Sequence, residues 1–423
     1  MIFSLDVRRA RKGDCLLLHF GTKAKPGLAM IDGGPKSVYK PHLRPRLLEI
    51  KKARGLDPQT PLPVDLLMVS HVDDDHIQGI LDLTAELTAT PQAQARLLRV
   101  LRFWHNTFDD IIGNTPAELT AAMSSAFGPA SLGGELPENA SLDVTDADAE
   151  TVTGTLQVLS SIEQGHRLRD DAKALGFAAN DQLIIAANKP VPIALGLQFV
   201  VAGPMKADLA ALQKMHDDWL KTIKKEKKTG TAALAAYVDP SVTNLSSIVV
   251  MASTGDKRIL LTGDARGDKI LKGLEQVGLL QPRGKIHVDV LKVPHHGSSN
   301  NLDNDFFERI TADHYVFSGN GEHGNPEREA LEMLFKARGT APFQIHLTYP
   351  IDEIDVARKE DWKKEQAKEK QRKSGKKPRP DWQPAKQGLA AFFKKTKLAA
   401  GQEIRIVDEA KPHVIDLLEP LGF

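Results

Sequence analysis

Seven consecutive residues, Ser70-His71-Val72-Asp73-Asp74-Asp75-His76, carry the densest chemistry in this 423-residue chain. His71, Asp73, Asp75 and His76 place four metal-binding side chains within six residues. The run follows a short apolar stretch, Val64 to Ser70, and precedes a helical pattern. A single strand-to-helix turn can therefore aim some of these groups at one ion and some at a second. Imidazole together with hard carboxylate suits zinc or manganese. Capping of a helix start would account for Asp73, Asp74 and Asp75, because carboxylates satisfy free N–H groups there. It leaves the two histidines unexplained, so metal binding is the expectation. Two further pieces have the same form. Leu260 to Asp264 is an apolar run ending in Gly-Asp, whose carboxylate can bridge two ions. Val293-Pro294-His295-His296-Gly297-Ser298 ends another run with a histidine pair. Open α/β sheets bind ligands at the carboxyl ends of their strands, which makes the three pieces together more telling than any one.

The elements that must position them are legible in outline. Strands are expected at Ile2–Val7, Cys15–Phe20, Leu28–Ile31, Val64–Ser70, Arg99–His105, Val288–Val293, His314–Ser318 and Phe343–Thr348, with strand-like sequence from Asp181 to Phe199. Helices are expected at 44–54, 206–228, 268–277, 306–310 and 326–337, and over 77–101 with an interruption near Pro91. Ser246–Met251 and Lys257–Thr262 form a hairpin about the Ser-Thr-Gly-Asp turn. Gln402–Val407 and Val414–Leu417 are expected to form a final one. The predicted organisation is an α/β domain over 1–350, with 83–180 a largely helical insertion. A basic insertion over 351–400 follows, and the final hairpin over 401–423 completes the domain.

Composition excludes several classes. One cysteine, Cys15, allows neither an intrachain disulfide nor a thiolate cluster. No apolar stretch is long enough to span a bilayer, and the N-terminus lacks the apolar centre of a signal peptide. The expectation is a cytoplasmic protein without a membrane partner. Net charge is +1, yet Arg358–Pro380 holds eleven basic and four acidic residues, and Lys221–Lys228 holds five and one. Two basic tracts on an acidic body read either as solvated faces or as attraction to a polyanion. Trp362 and Trp382 flank the larger tract, where they either stack on bases or bury against the body.

The motif HVDDDH resembles the HxHxDH motif of the metallo-β-lactamase superfamily, with Asp73 in place of the middle histidine. That replacement is similar to the hydrolase domain at the C-terminus of ComEC-type DNA-uptake proteins. Leu5-Asp6-Val7 with Lys12-Gly13-Asp14-Cys15 resembles that group's opening strand and Gly-Asp turn. Ile31-Asp32-Gly33-Gly34, Asn244 to Val250, Leu260 to Asp264, Leu291 to Ser298 and Gly319 to Pro326 resemble later segments in order. The likeness covers roughly 1–82 and 181–350, in fragments. It implies a four-layer αββα sandwich with a dinuclear site at one edge. By this match His71 and Asp73 serve a first ion, Asp75, His76 and His296 a second, and Asp264 bridges both. Asp32 holds the His71–His76 loop through hydrogen bonds. The superfamily's third-motif histidine has no counterpart; Asn244 lies nearest its place, which leaves the first ion weakly or incompletely ligated. His295 can replace His296 as ligand. For His323 three roles stay open: metal ligand, proton donor to the leaving group, or cap of the following helix.

The implied activity is a phosphodiesterase or nuclease acting on DNA or RNA, with two divalent ions (Zn or Mn) and a metal-bridged hydroxide as nucleophile. Asp75 or Asp264 orients the nucleophile, and Lys292 or His323 meets the phosphate or leaving oxygen. Nucleic acid is the expected partner, with a regulatory protein as a second. Two other readings stand beside it. One is a hydrolase of a small ester, lactone or cyclic nucleotide. The other is a non-catalytic, metal-containing nucleic-acid-binding module.

Overall fold

A computed structural model describes residues 1–91, 95–107, 111, 163–226, 244–371 and 377–423. The fold is mixed α/β. The described residues form strands β1 (Ile2–Val7), β2 (Leu16–Gly21), β3 (Pro26–Ile31), β4 (Leu62–Val64), β5 (Leu66–Met68), β6 (Leu98–Val100), β7 (Phe103–Trp104), β8 (Val191–Ala194), β9 (Leu197–Gly203), β10 (Val249–Thr254), β11 (Lys257–Leu261), β12 (Ile286–Lys292), β13 (Ile310–Phe317), β14 (Phe343–Leu347), β15 (Gln402–Ile406) and β16 (Val414–Asp416). They form a six-stranded sheet, β16-β1-β2-β3-β5-β7, an eight-stranded sheet, β15-β14-β13-β12-β11-β10-β9-β8, and a small β4-β6 pair.

Alternating side chains explain how the sheets stack. Phe3, Leu5 and Val7 of β1 and Leu16, Leu18 and Phe20 of β2 share a core with Phe199, Val201, Val250, Ile259 and Leu261 of the other sheet. The opposite face of the six-stranded sheet, through Leu17, Met30 and Leu67, packs on Leu47 and Ile50 of helix Arg44–Ala53 and Ile77, Ile80 and Leu83 of helix Asp74–Ala89. The eight-stranded sheet likewise meets helices Gly267–Gln276, Asn304–Arg309 and Arg328–Arg338 through Leu274, Phe306 and Leu331. Strands with a period of two thus feed an inner and an outer core.

β11 to β15 run parallel. Parallel neighbours need crossovers, and those helices supply three of them. As a result the residues that follow β11, β12 and β13 emerge on one edge. β3 and β5 are also parallel, so the residues after Ile31 and Met68 share an edge. Ile248 N–H donates to the Ser70 carbonyl at 2.8 Å and joins the two edges.

Four expectations are corrected. The 77–101 helix ends at Ala89, and Leu98–Val100 is a strand. The Val64–Ser70 strand is two short ones broken at Asp65, whose carboxylate accepts the Leu28 N–H at 3.0 Å. Within 181–199 strand begins only at Val191. The final hairpin is not a hairpin. β15 pairs with β14 and β16 pairs with β1, because alternate apolar positions of each find a core in a different sheet. Of the 83–180 insertion, residues 163–175 are helical; 112–162 lie outside the described residues. No described helix is long and apolar enough to cross a membrane.

Candidate metal centre

The HVDDDH run leaves β5 at the shared edge and turns into helix Asp74–Ala89. Asp73 occupies the N-cap position, but its side chain makes no capping hydrogen bond. Its Oδ2 lies 3.6 Å from His71 Nε2 instead. Asp74 faces away and accepts from Gln78 and Gln164. The capping account therefore fails for Asp73, while Asp75 turns toward the histidines.

Asp264 is the hub. Its Oδ1 lies 3.3 Å from His76 Nε2. Its Oδ2 lies 3.3 Å from His296 Nε2, 3.8 Å from His295 Nε2 and 3.9 Å from His71 Nε2. Asp75 lies 3.4 Å from His296 Nε2 and 3.9 Å from His76 Nε2. Asp75, His76, Asp264 and His296 form a group able to hold one metal ion. This is the set expected for the second ion. His71 and His295 approach Asp264 Oδ2 more distantly, with Asp73 beside His71, so the structure brings both histidines of the 295–296 pair to the carboxylate.

The outward ring nitrogens are held. His76 Nδ1 lies 2.9 Å from Asp32 Oδ2, His296 Nδ1 2.9 Å from Ser318 Oγ, and His71 Nδ1 3.1 Å from Ser70 Oγ. Asp32 is itself fixed, accepting the Ser70 N–H and hydroxyl, each at 2.7 Å. Asn244 stands 3.5 Å from His295 Nδ1. The inward atoms, by contrast, lack hydrogen bonds. His71 Nε2, His76 Nε2, His296 Nε2 and Asp264 Oδ1 are buried without a hydrogen-bond partner. Metal-binding histidines characteristically have one nitrogen held by a polar neighbour and the other presented to the ion. The donor set fits a divalent cation.

Electrostatics agree. Burial opposes the charge on Asp264, yet His296, His76 and His295 hold its carboxyl well below the usual range. Burial likewise opposes charge on Asp75, and His76 and His296 outweigh it. The histidines respond in turn. Burial disfavours protonated His296, but Asp264 and Asp14 lift its pKa to about 10. His76 is raised well above its ordinary value against the same burial, by Asp264, Asp32 and Asp75. Protons stand in the cluster where cations can.

Backbone features fix these positions. His295 and His296 adopt φ of 48° and 54°, a left-handed conformation uncommon outside glycine. It turns both rings back toward the strand ends. The Asp32-Gly33-Gly34 turn presses on helix Asp74–Ala89 at Gly79, where a Cβ on either glycine would overlap the opposing backbone. Gly33 N–H donates to the His76 carbonyl at 2.8 Å, which locks Asp32 beneath the imidazole it holds.

Two placements depart from expectation. Lys292 is not exposed at the rim but lies inside the cluster, its Nζ 3.7 Å from Asp264 Oδ1. It is buried, ion-paired with Asp14, and donates to the Gly263 carbonyl at 3.1 Å. Burial opposes its charge, but Asp14 and Asp264 raise its pKa. Asp14 was seen in sequence only as part of a turn. It lies in the cluster, 3.4 Å from His296 Nδ1, and groups with Asp32 and His76. A Gly-Asp pair entering a strand gave no sign of this; only the antiparallel β2-β3 pairing brings Asp14 to the edge where β3 ends. His323 lies at the exposed rim, 3.0 Å from Lys12 Nζ. It belongs to neither metal-holding group among the described residues.

No family model matches the chain. Microtubule-associated protein 1A of Rattus norvegicus is 33% identical over 75 residues, which are 17% of this chain and 3% of that protein. ComE operon protein 3 of Bacillus subtilis (strain 168) is 32% identical over 98 residues, 23% of this chain and 12% of that protein. The chain thus spans a small part of either relative. Among solved structures, a proposed metal-dependent hydrolase from Parabacteroides distasonis has a TM-score of 0.29 at 8% identity, covering 81% of this chain and 97% of that one. A protein of unknown function from Enterococcus faecalis V583 has a TM-score of 0.29 at 10% identity, covering 96% and 78%. Neither structural likeness is close enough to bear on fold or activity.

Proposed function

We propose that this chain is a metal-dependent hydrolase of the metallo-β-lactamase type, a four-layer αββα sandwich, that cleaves phosphodiesters and acts as a nuclease. One observation carries the reading. Three buried imidazoles present unbonded Nε2 atoms to the carboxylate of Asp264 while polar partners hold their Nδ1 atoms. The motif resemblance to ComEC-type hydrolase domains supports the reading, as does the local likeness to ComE operon protein 3.

His71, Asp73 and His295 would hold one ion, Asp75, His76 and His296 another, with Asp264 shared. His295 then takes the place of the missing third-motif histidine. When bound, divalent ions supply concentrated positive charge that lowers the pKa of water and offsets charge developing on a phosphodiester. The chain's own residues do the rest. Asp32, Ser70 and Ser318 fix the rings, Asp75 or Asp264 orients the attacking water, and Lys292 neutralises Asp14 beneath them. His323, at the rim, stands where a proton can pass to the leaving oxygen.

A second reading, hydrolysis of a small ester, lactone or cyclic nucleotide, draws support from the basic tract. Lys363, Lys368 and Arg379 are each paired with a glutamate of the same tract, at 2.9, 2.6 and 2.7 Å. Trp362 and Trp382 pack edge to face at 5.7 Å. Three of the tract's eleven basic residues are thus held by carboxylates of the tract itself and are not free to meet a polyanion.

Metal-stripped protein incubated with single-stranded DNA, duplex DNA, RNA and bis(p-nitrophenyl) phosphate, with Mn²⁺ or Zn²⁺ added, separates the readings. Polymer cleavage by wild type and not by an Asp75→Ala, Asp264→Ala double variant is the expected result. Turnover of the small diester alone favours the second reading, and no turnover of any of them removes the first.

A further inference from the structure

The cations around the cluster are nearly all neutralised by carboxylates. Lys292 is paired with Asp14. Arg11, at the turn that leads into β2, pairs with Glu322 at 2.7 Å. The next residue, Lys12, differs. Its ammonium meets the neutral ring of His323, at 3.0 Å from Nε2. Among the described residues no carboxylate lies within 4.0 Å of it. An ammonium has three donors, so two remain for another acceptor.

Position gives that charge its meaning. Gly13 follows Lys12 and lies flat against the Asp75 backbone; a Cβ there would overlap the Asp75 carbonyl. Asp14 N–H donates to the same carbonyl at 3.3 Å. The turn therefore seats Lys12 two residues from the buried Asp14 and beside Asp75, half-buried and open to solvent. Consecutive residues Arg11 and Lys12 clasp consecutive residues Glu322 and His323, which holds the rim loop against the turn.

We propose that Lys12 is the anion-binding residue of this site, and that with His323 it forms the subsite for a phosphate oxygen of the substrate. The inference rests on the phosphodiesterase reading for the identity of the anion. It assigns to Lys12 a contact otherwise expected of Lys292. It also fixes the tautomer of His323. With Nε2 accepting from Lys12, the ring's proton sits on Nδ1, the nitrogen left to face the leaving oxygen. The same chemistry would recognise a phosphodiester backbone or free phosphate, and the two are separable by experiment.

The test uses the full chain and its Lys12→Met and Lys12→Arg variants. Methionine keeps the aliphatic stem at a half-exposed position, and thermal melting verifies folding. Binding of inorganic phosphate is measured by calorimetry on metal-free and Zn²⁺-loaded protein, and kcat and KM on bis(p-nitrophenyl) phosphate and a DNA strand. Lys12→Met is expected to weaken phosphate binding and kcat/KM on phosphodiesters about tenfold, as loss of a charge-assisted hydrogen bond implies. Lys12→Arg restores both to within about threefold. Phosphate binding equal in Lys12→Met and wild type, or absent from both, overturns the subsite. Diester turnover with parameters unchanged in Lys12→Met overturns it too, while leaving the hydrolase reading intact. Lys12-dependent phosphate binding without turnover of any diester keeps the subsite and removes the phosphodiesterase reading.

Discussion

At the scale of single residues, the centre is a competition between protons and cations for the same nitrogens. In the cation-free protein the surrounding carboxylates favour the protonated rings, lifting the pKa of His296 to about 10 and raising that of His76. Ligation requires both rings neutral at Nε2, so cation binding must expel about two protons. Affinity for Zn²⁺ therefore rises with pH through the neutral range. Titration calorimetry at pH 7.5 in buffers of different ionisation enthalpy reads the proton number directly; a value near zero would show that these rings do not bind the ion. Asp264→Ala should remove most of the affinity, because both proposed ligand sets share that carboxylate. It should also abolish the rise in melting temperature that a bound cation confers on wild type. Asp32→Ala is milder. It frees the His76 ring without removing a ligand, and a loss of about 10- to 100-fold in metal affinity is expected.

Among the elements, the helix Ile351–Gln371 has a more specific task than its composition implies. Arg358, buried within it, donates from Nε to the Gly324 carbonyl at 2.9 Å and from Nη1 to the Gln387 carbonyl at 2.6 Å. Gly321 has no room for a Cβ against the Ile354 carbonyl. The helix is thus a platform for the 321–325 loop that carries His323. Arg358→Ala should lower kcat on a phosphodiester about tenfold while leaving Zn²⁺ affinity within about twofold; an equal fall in both would place the platform under the metal ligands instead. The sequence showed a basic tract here but not what it supports. Strand ends bearing His71, Asp264 and His296 were legible because short apolar runs ending in polar clusters declare both the element and its active end. Asp14 and Lys12 were not, since their roles depend on which edge an antiparallel partner reaches. The pairing of Lys292 was hidden for a related reason. A lysine ending an apolar strand suggests a group for the substrate, and the buried Asp14 that pairs with it precedes β2 of a different sheet.

For the molecule as a whole, a buried ionic knot ties distant parts of the chain. Asp6 of β1 accepts from Arg46 Nε at 2.6 Å, and Arg46 Nη2 donates to the Phe423 carbonyl at 2.8 Å. Burial raises the Asp6 pKa, but His19, Arg46 and Arg8 together bring it down to about 2. A carboxyl depressed on folding contributes stability above its unfolded pKa, near 3.8, and loses it as pH falls toward 2. Denaturant melts should therefore show a stability loss between about pH 4 and pH 2 that is absent in Asp6→Asn. Asp6→Ala should cost about 1–3 kcal/mol at neutral pH, because the buried guanidinium loses its buried carboxylate and keeps Glu49 and the Phe423 carbonyl; a cost below about 0.5 kcal/mol would mean that water replaces Asp6 beside Arg46. The separate destinations of β15 and β16 have a consequence for how the chain is made. Among the described residues β16 is the one strand flanking β1 on its outer side, and Ser4 meets Asp416 across 412 residues. Until that last strand leaves the ribosome, β1 stands as an open edge of the six-stranded sheet, exposed to any passing strand. A nascent chain stalled a few residues short of β16 is accordingly the form most prone to self-association and most dependent on chaperones.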